Sequence, residues 1–246
     1  MPEPTQPRDF DPIFSQGVVI VGGHAVNLWA SFYAGRGDQI LAGFEPFTSK
    51  DADIFLRDRE LALAVAAAAG WKFRANPEPR SPVLGVIMMN KDGSELQVDV
   101  LRSVTGLTDD EMAVTESITF ANGKNYSVPA PDVMLKGKLA NLAIHDQKAR
   151  QDERHIRILT RCCAHYLADA SAAVRAGTLS DREAVERFMA TQRVIMNRQA
   201  QQLEKKFALG LSAAIPARDM LGDAALPPRL RAFYEHQVER ERACRR

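Results

Sequence analysis

The hydrophobic pattern of this chain changes period once, beside Pro129 and Pro131. Upstream, short β-branched or alternating runs are interleaved with helical ones; from Gln151 to Arg246 only helix-period stretches occur. A period of two suits a strand and a period of about 3.6 suits a helix, so the two stretches are built for different architectures. The expected fold class is therefore α+β: a mixed β-sheet with flanking helices over residues 17–130, then an all-helical region over 131–246. The proline-rich start, residues 1–16, reads as a flexible tail.

At 246 residues the chain is long enough for one large domain or two modest ones. With 46% hydrophobic and 26% charged residues it has the balance of a soluble globular protein, and no apolar run approaches the ~20 residues that span a bilayer. No membrane partner is expected. Met1–Asp11 carries no apolar segment behind a basic one, and Cys162, Cys163 and Cys244 cannot all pair, so a reducing, cytoplasmic setting is expected. No Cys-x-x-Cys or His-Glu-x-x-His spacing is present, which argues against structural zinc or a zincin. Charge is unevenly distributed. Met1–Asp146 holds 13 Lys+Arg against 19 Asp+Glu, a balance of −6, and Gln147–Arg246 holds 19 against 12, a balance of +7. An acidic first half suits a metal site. The basic second half reads as a solvated helical surface, with a polyanion or the acidic half as alternative partners.

Val18–Val21 is a β-branched run that ends at Gly22-Gly23, and Ala25, Leu28, Trp29 and Phe32 follow at helical spacing. Ala34–Ser49, with three glycines and a proline, reads as an excursion. From Lys50 to Leu56 the pattern alternates, with Ala52, Ile54 and Leu56 on one face and Asp51 and Asp53 on the other. Arg59–Trp71 is an Ala-rich helix stopped by Gly70. Val83–Met89 and Glu95–Leu101 read as a hairpin about Lys91-Asp92-Gly93, and Ser117–Val128 as a second one turning at Asn122-Gly123. Asp132–His145 is helical, Ser180 and Glu183 form a capping box, and Pro227-Pro228 opens the last helix.

Three features carry chemistry. A strand, a glycine pair and a helix N-terminus together favour phosphate, because glycine lets a group approach the backbone and the helix start offers free N–H groups. Asp51 and Asp53 share a strand face about 6.6 Å apart, and like charges so placed are costly unless a cation sits between them. Asp99 lies on a strand of the same alternating design, so a third carboxylate beside the pair is geometrically reasonable. Three carboxylates suit a hard divalent cation such as Mg²⁺ or Mn²⁺, and two ions ~3.5–4 Å apart would clamp a phosphoryl or nucleotidyl displacement. Taken singly, each feature also fits a plain turn or a solvated strand face.

Together Val19-Ile20-Val21-Gly22-Gly23-His24-Ala25, Ser49-Lys50-Asp51-Ala52-Asp53-Ile54 and Val98-Asp99-Val100 resemble the DNA polymerase β-like nucleotidyltransferase superfamily. Within it the likeness is best to bacterial abortive-infection toxin-type nucleotidyltransferases, and it covers residues 17–150. The resemblance implies that Asp51, Asp53 and Asp99 bind metal, with Asp99 activating the incoming hydroxyl. It implies that Gly22, Gly23 and His24 approach the triphosphate of an NTP, and that Ser49 orients Asp51 or touches a phosphate. Two features depart from the pattern. His24 stands where a phosphate-contacting Ser often follows, and 28 positions separate Gly23 from Asp51, so 35–48 looks like an insertion.

Lys136 and Lys138 fall early on the helix that packs beside the nucleotide in relatives, and either is a candidate phosphate contact. Lys148, Arg150, Arg154 and Arg157, with Asp152 and His155, read as the solvated face of an amphipathic helix, with the mouth of the cleft as the alternative. Cys162-Cys163 reads as core. The function expected is metal-dependent transfer of a nucleoside monophosphate from an NTP to an RNA, protein or small-molecule acceptor. The alternative is a non-catalytic nucleotide- or partner-binding module, for instance one held by an antitoxin.

Overall fold

The computed structural model describes residues 5–91, 94–146 and 150–244. The start of the chain folds where a flexible tail was expected. A 3-10 turn at Pro7–Phe10 leads into α1 (Asp11–Phe14), and Phe10, Ile13 and Phe14 are buried. Proline favours the first turn of a helix, and three large apolar side chains at helical spacing give that turn a face to bury.

β1 (Val19–Val21) runs into α2 (Gly22–Gly35), whose Ala25, Val26, Leu28 and Trp29 enter the core. The indole N–H of Trp29 donates to the carbonyl of Pro129 at 2.9 Å, which ties this helix to the last strand. The 35–48 excursion is not featureless. It contains α3 (Gln39–Ala42), capped by Asp38, whose carboxylate accepts from the Leu41 amide and from Arg161.

β2 (Ala52–Phe55) is shorter than the alternation suggested, so Asp51 precedes the strand and Asp53 lies within it. α4 (Arg59–Ala69) starts on the Asp58 side chain and stops at Gly70 in the left-handed conformation. β3 (Lys72–Ala75) was not expected; it is only four residues long, and its charged Lys72 and Arg74 suit an edge strand. β4 (Val83–Lys91) and β5 (Ser94–Leu101) pair antiparallel as expected, with Asp92 and Gly93 of their turn outside the described residues. A short α5 (Asp109–Ala113), started by a Thr108–Glu111 capping box, precedes β6 (Thr115–Thr119) and β7 (Asn125–Pro129).

The seven strands form one mixed sheet in the order β3-β4-β5-β2-β1-β7-β6. After Pro129 the described chain is helical: α6 (Pro131–Ile144), α7 (Asp152–Arg175), α8 (Asp181–Met196), α9 (Arg198–Phe207), α10 (Ala217–Leu221) and α11 (Pro228–Cys244). The Ser180–Glu183 capping box opens α8, a feature worth ~1 kcal/mol. One apolar cluster runs from Phe10 through the sheet to Val238, with Cys162 and Cys163 fully inside it. On the opposite sheet face, Val21, Phe55 and Met112 form a small second cluster beside the carboxylates described next. No helix among the described residues is long and apolar enough to cross a membrane.

Candidate active site

Three adjacent strands set the site. β1 pairs antiparallel with β2, placing Val21 opposite Asp53, and β2 pairs parallel with β5, placing Asp53 beside Asp99. Parallel neighbours lie ~4.8 Å apart, and residues in register share a sheet face. Ala52, Ile54, Val98 and Val100 take the core face, which turns Asp53 and Asp99 outward together.

The glycine pair is required by these side chains as well as by the turn. Gly22 has φ +65°, and a Cβ there would collide with Oδ2 of Asp53. A Cβ on Gly23 would collide with Oγ of Ser49. The start of α2 thus lies directly over the acid and the hydroxyl. No side chain among the described residues caps it, so its first N–H groups are without a side-chain acceptor there.

Gly22, Gly23, Ser49, Asp51, Asp53 and Asp99 line one side of a cavity of about 360 Å³. No ion pair among the described residues involves Asp51, Asp53 or Asp99. Burial, then Asp99 and Asp51, raise the Asp53 pKa to about 6, with Lys138 and Arg150 opposing. Burial and the Asp51 charge likewise raise Asp99. Neighbouring like charge thus opposes ionisation of Asp53 and of Asp99. As they stand, no three His, Cys, Asp or Glu side chains among the described residues are gathered closely enough to hold an ion. The donor set itself, oxygen-only, partly desolvated and mutually repelling, has the chemistry that a hard divalent cation relieves.

The opposite side of the cavity is helical. Lys138 of α6 is 7% exposed and pairs with Asp152 of α7 at 3.2 Å, and the Arg150 Nε reaches the other oxygen of Asp152 at 2.6 Å. Burial works against ionisation of Asp152, but the arginine and the lysine outweigh it and hold the carboxyl below its ordinary value. His155 also lines the cavity, and Asn141 and Gln151 add amide groups.

Protein-family models and curated proteins give no match to this chain.

Two expected nucleotide contacts do not join the others. His24 is fully buried on the far side of the glycine turn, its Nε2 3.1 Å from the Thr5 hydroxyl and its ring between Phe10 and Phe14. Burial lowers its pKa to about 4 against the pull of Asp9, so it is a neutral core residue. Lys136 leans away from the cavity onto Glu111 of α5, with its Nζ 2.7 and 2.8 Å from the two carboxylate oxygens. Positions two apart on a helix differ by about 200°, so Lys136 and Lys138 cannot face one cavity.

Arg150, Asp152 and His155 are instead cavity residues, while Lys148 lies outside the described residues. Arg154 binds the carbonyls of Phe44 and Pro46, and Arg157 those of Phe207 and Ala208. The signal available in the sequence was the i, i+3 spacing of Asp152 and His155, which puts both on one helix face.

Proposed function

We propose that the protein is a metal-dependent nucleotidyltransferase of the DNA polymerase β-like type, which moves a nucleoside monophosphate from an NTP to an acceptor hydroxyl and releases pyrophosphate. The observation that carries this reading is the pairing of Asp53 with Asp99 on adjacent strands, directly beneath the uncapped start of α2. Helix amides favour anionic phosphate oxygens, and carboxylates grouped beside them favour a cation that offsets both charges, so the pair suits a site where phosphate meets the amides and a cation meets the acids.

Mg²⁺ or Mn²⁺ held by Asp51, Asp53 and Asp99 would neutralise charge on the phosphates. The chain's own residues do the rest. The Gly22 and Gly23 amides, at the start of α2, donate to phosphate oxygens. Lys138, fixed by Asp152, presents a positive charge on the facing wall. Asp99 is the general base: as the acceptor oxygen forms its bond to the α-phosphorus, the hydroxyl proton passes to the Asp99 carboxylate. The bond from that phosphorus to the pyrophosphate oxygen breaks, and the electron pair leaves with pyrophosphate. A carboxyl raised above its ordinary pKa is better suited to receive a proton than an unperturbed one.

The test is incubation with each α-labelled NTP, Mg²⁺ and extracts of RNA and protein. Label should pass to one fraction with wild type and not with Asp99→Asn. Tight Mg·NTP binding with no transfer to any fraction would instead make the protein a nucleotide-binding module.

A further inference from the structure

His155 is the buried polar residue of the cavity that the transfer scheme leaves unused. It is 5% exposed and lines the cavity, and neither Nδ1 nor Nε2 has a hydrogen-bond partner among the described residues. Buried side-chain nitrogens are almost always paired, since leaving one unpaired is costly; two on one ring call for a reason. Its place in the fold supplies one. Cε1 of His155 lies 3.5 Å from where a Gly23 Cβ would stand, the same point that Oγ of Ser49 crowds. Gly23, Ser49 and His155 therefore meet at one corner, at the N-terminus of the 14-residue α2, which no side chain among the described residues caps.

Resting on the nucleotidyltransferase reading, we infer that His155 is a ligand-contacting residue: its neutral imidazole donates a hydrogen bond to the diphosphate end of the nucleotide, beside the Gly23 amide and the Ser49 hydroxyl. Burial, reinforced by Lys138, keeps the ring uncharged. An uncharged donor orients a phosphate oxygen through a hydrogen bond without adding a further positive charge to those of Lys138 and Arg150. In ligand-free protein the ring is left unpaired, so His155 is held at a cost to stability that only a ligand relieves.

The probe is inorganic pyrophosphate with Mg²⁺, titrated calorimetrically into wild type, His155→Leu and His155→Gln, each first checked by thermal unfolding. His155→Leu removes two unpaired nitrogens, so the ligand-free variant should melt about 2–4 °C higher while its pyrophosphate affinity falls ~10–100-fold. His155→Gln keeps an N–H donor and should recover most of that affinity. In ¹⁵N spectra of wild type, pyrophosphate should drive the His155 ring to a single tautomer. The inference is overturned if His155→Leu binds pyrophosphate like wild type, if His155→Gln loses as much affinity as His155→Leu, or if His155→Leu melts lower and so marks a purely structural role. Normal binding by His155→Leu sinks this inference alone. Wild-type protein that binds neither pyrophosphate nor any NTP sinks the nucleotidyltransferase reading with it.

Discussion

On the sheet side of the cavity Asp51, Asp53 and Asp99 line the wall with no ion pair among the described residues, whereas on the helical side Asp152 is held between Lys138 and Arg150. The first wall stores repulsion, and burial raises the Asp53 pKa to about 6 with help from its neighbours. The second sets two cations against one acid, and Asp152 stays ionised despite its burial. A wall with unpaired like charges is poor for stability and good for capturing a cation; a wall of satisfied pairs is the reverse. The difference separates residues kept for a ligand from residues kept to aim other residues.

Transfer offers the sharpest way to break this contrast. Asp99→Asn keeps the shape of the side chain and removes its basicity, so label transfer should fall ~10²–10⁴-fold. Mg·NTP affinity should change far less, because Asp51 and Asp53 remain. Equal losses in transfer and affinity would remove the case for a separate proton-accepting role.

Next in size is the helical wall. Asp152→Asn leaves Lys138 buried without its counter-charge, and breaking a buried pair in this way costs ~3–5 kcal/mol. Denaturant unfolding should show that loss. The double variant Lys138→Met, Asp152→Leu should recover much of the stability but not nucleotide affinity. If the double variant also binds nucleotide normally, this wall has no part in the site.

The sheet wall should respond with the opposite sign. The folded Asp53 carboxyl titrates near 6, above its ordinary 3.8. A raised acid favours the fold below its unfolded value, and that contribution is lost as pH rises through 6. Metal-free Asp53→Asn should therefore be more stable than wild type at about pH 8, by on the order of 1–3 kcal/mol, with the gap closing near pH 4. A variant less stable than wild type at the higher pH would mean that Asp53 is a structural acid.

The smallest effect is expected from Lys136. Its pair with Glu111 is partly exposed, a kind worth ~0.2–1 kcal/mol, so Lys136→Met should change stability slightly and transfer not at all. Lys138→Met, by contrast, should weaken nucleotide binding. Similar effects of both on binding would contradict the division made by α6.

The same contrast explains how much of the molecule was legible in the sequence. Alternation is local, so Ala52-Asp53-Ile54 and Val98-Asp99-Val100 announced their faces before any tertiary structure was known. The Ser180 cap, the Gly70 stop and the Asn122-Gly123 turn were likewise readable from neighbouring residues. Asp152 and His155 were not assigned to the site, because a charged face on an amphipathic helix looks the same whether it meets water or a cavity. Only the packing of α7 against α2 and α6 decides it. His24 misled for a related reason. It follows the glycine pair in sequence, but the helix turns it into the Phe10–Phe14 cluster, which belongs to a segment whose prolines hid its apolar face.

Calorimetric titration of one NTP into wild type and Asp53→Asn, with Mg²⁺ and with chelator, tests most directly whether the acidic wall exists to hold metal with nucleotide. Binding should be strong only for wild type with Mg²⁺ present, and Asp53→Asn should show none in either condition while remaining folded. Equal wild-type affinity with and without metal, or undiminished binding by Asp53→Asn, would contradict it.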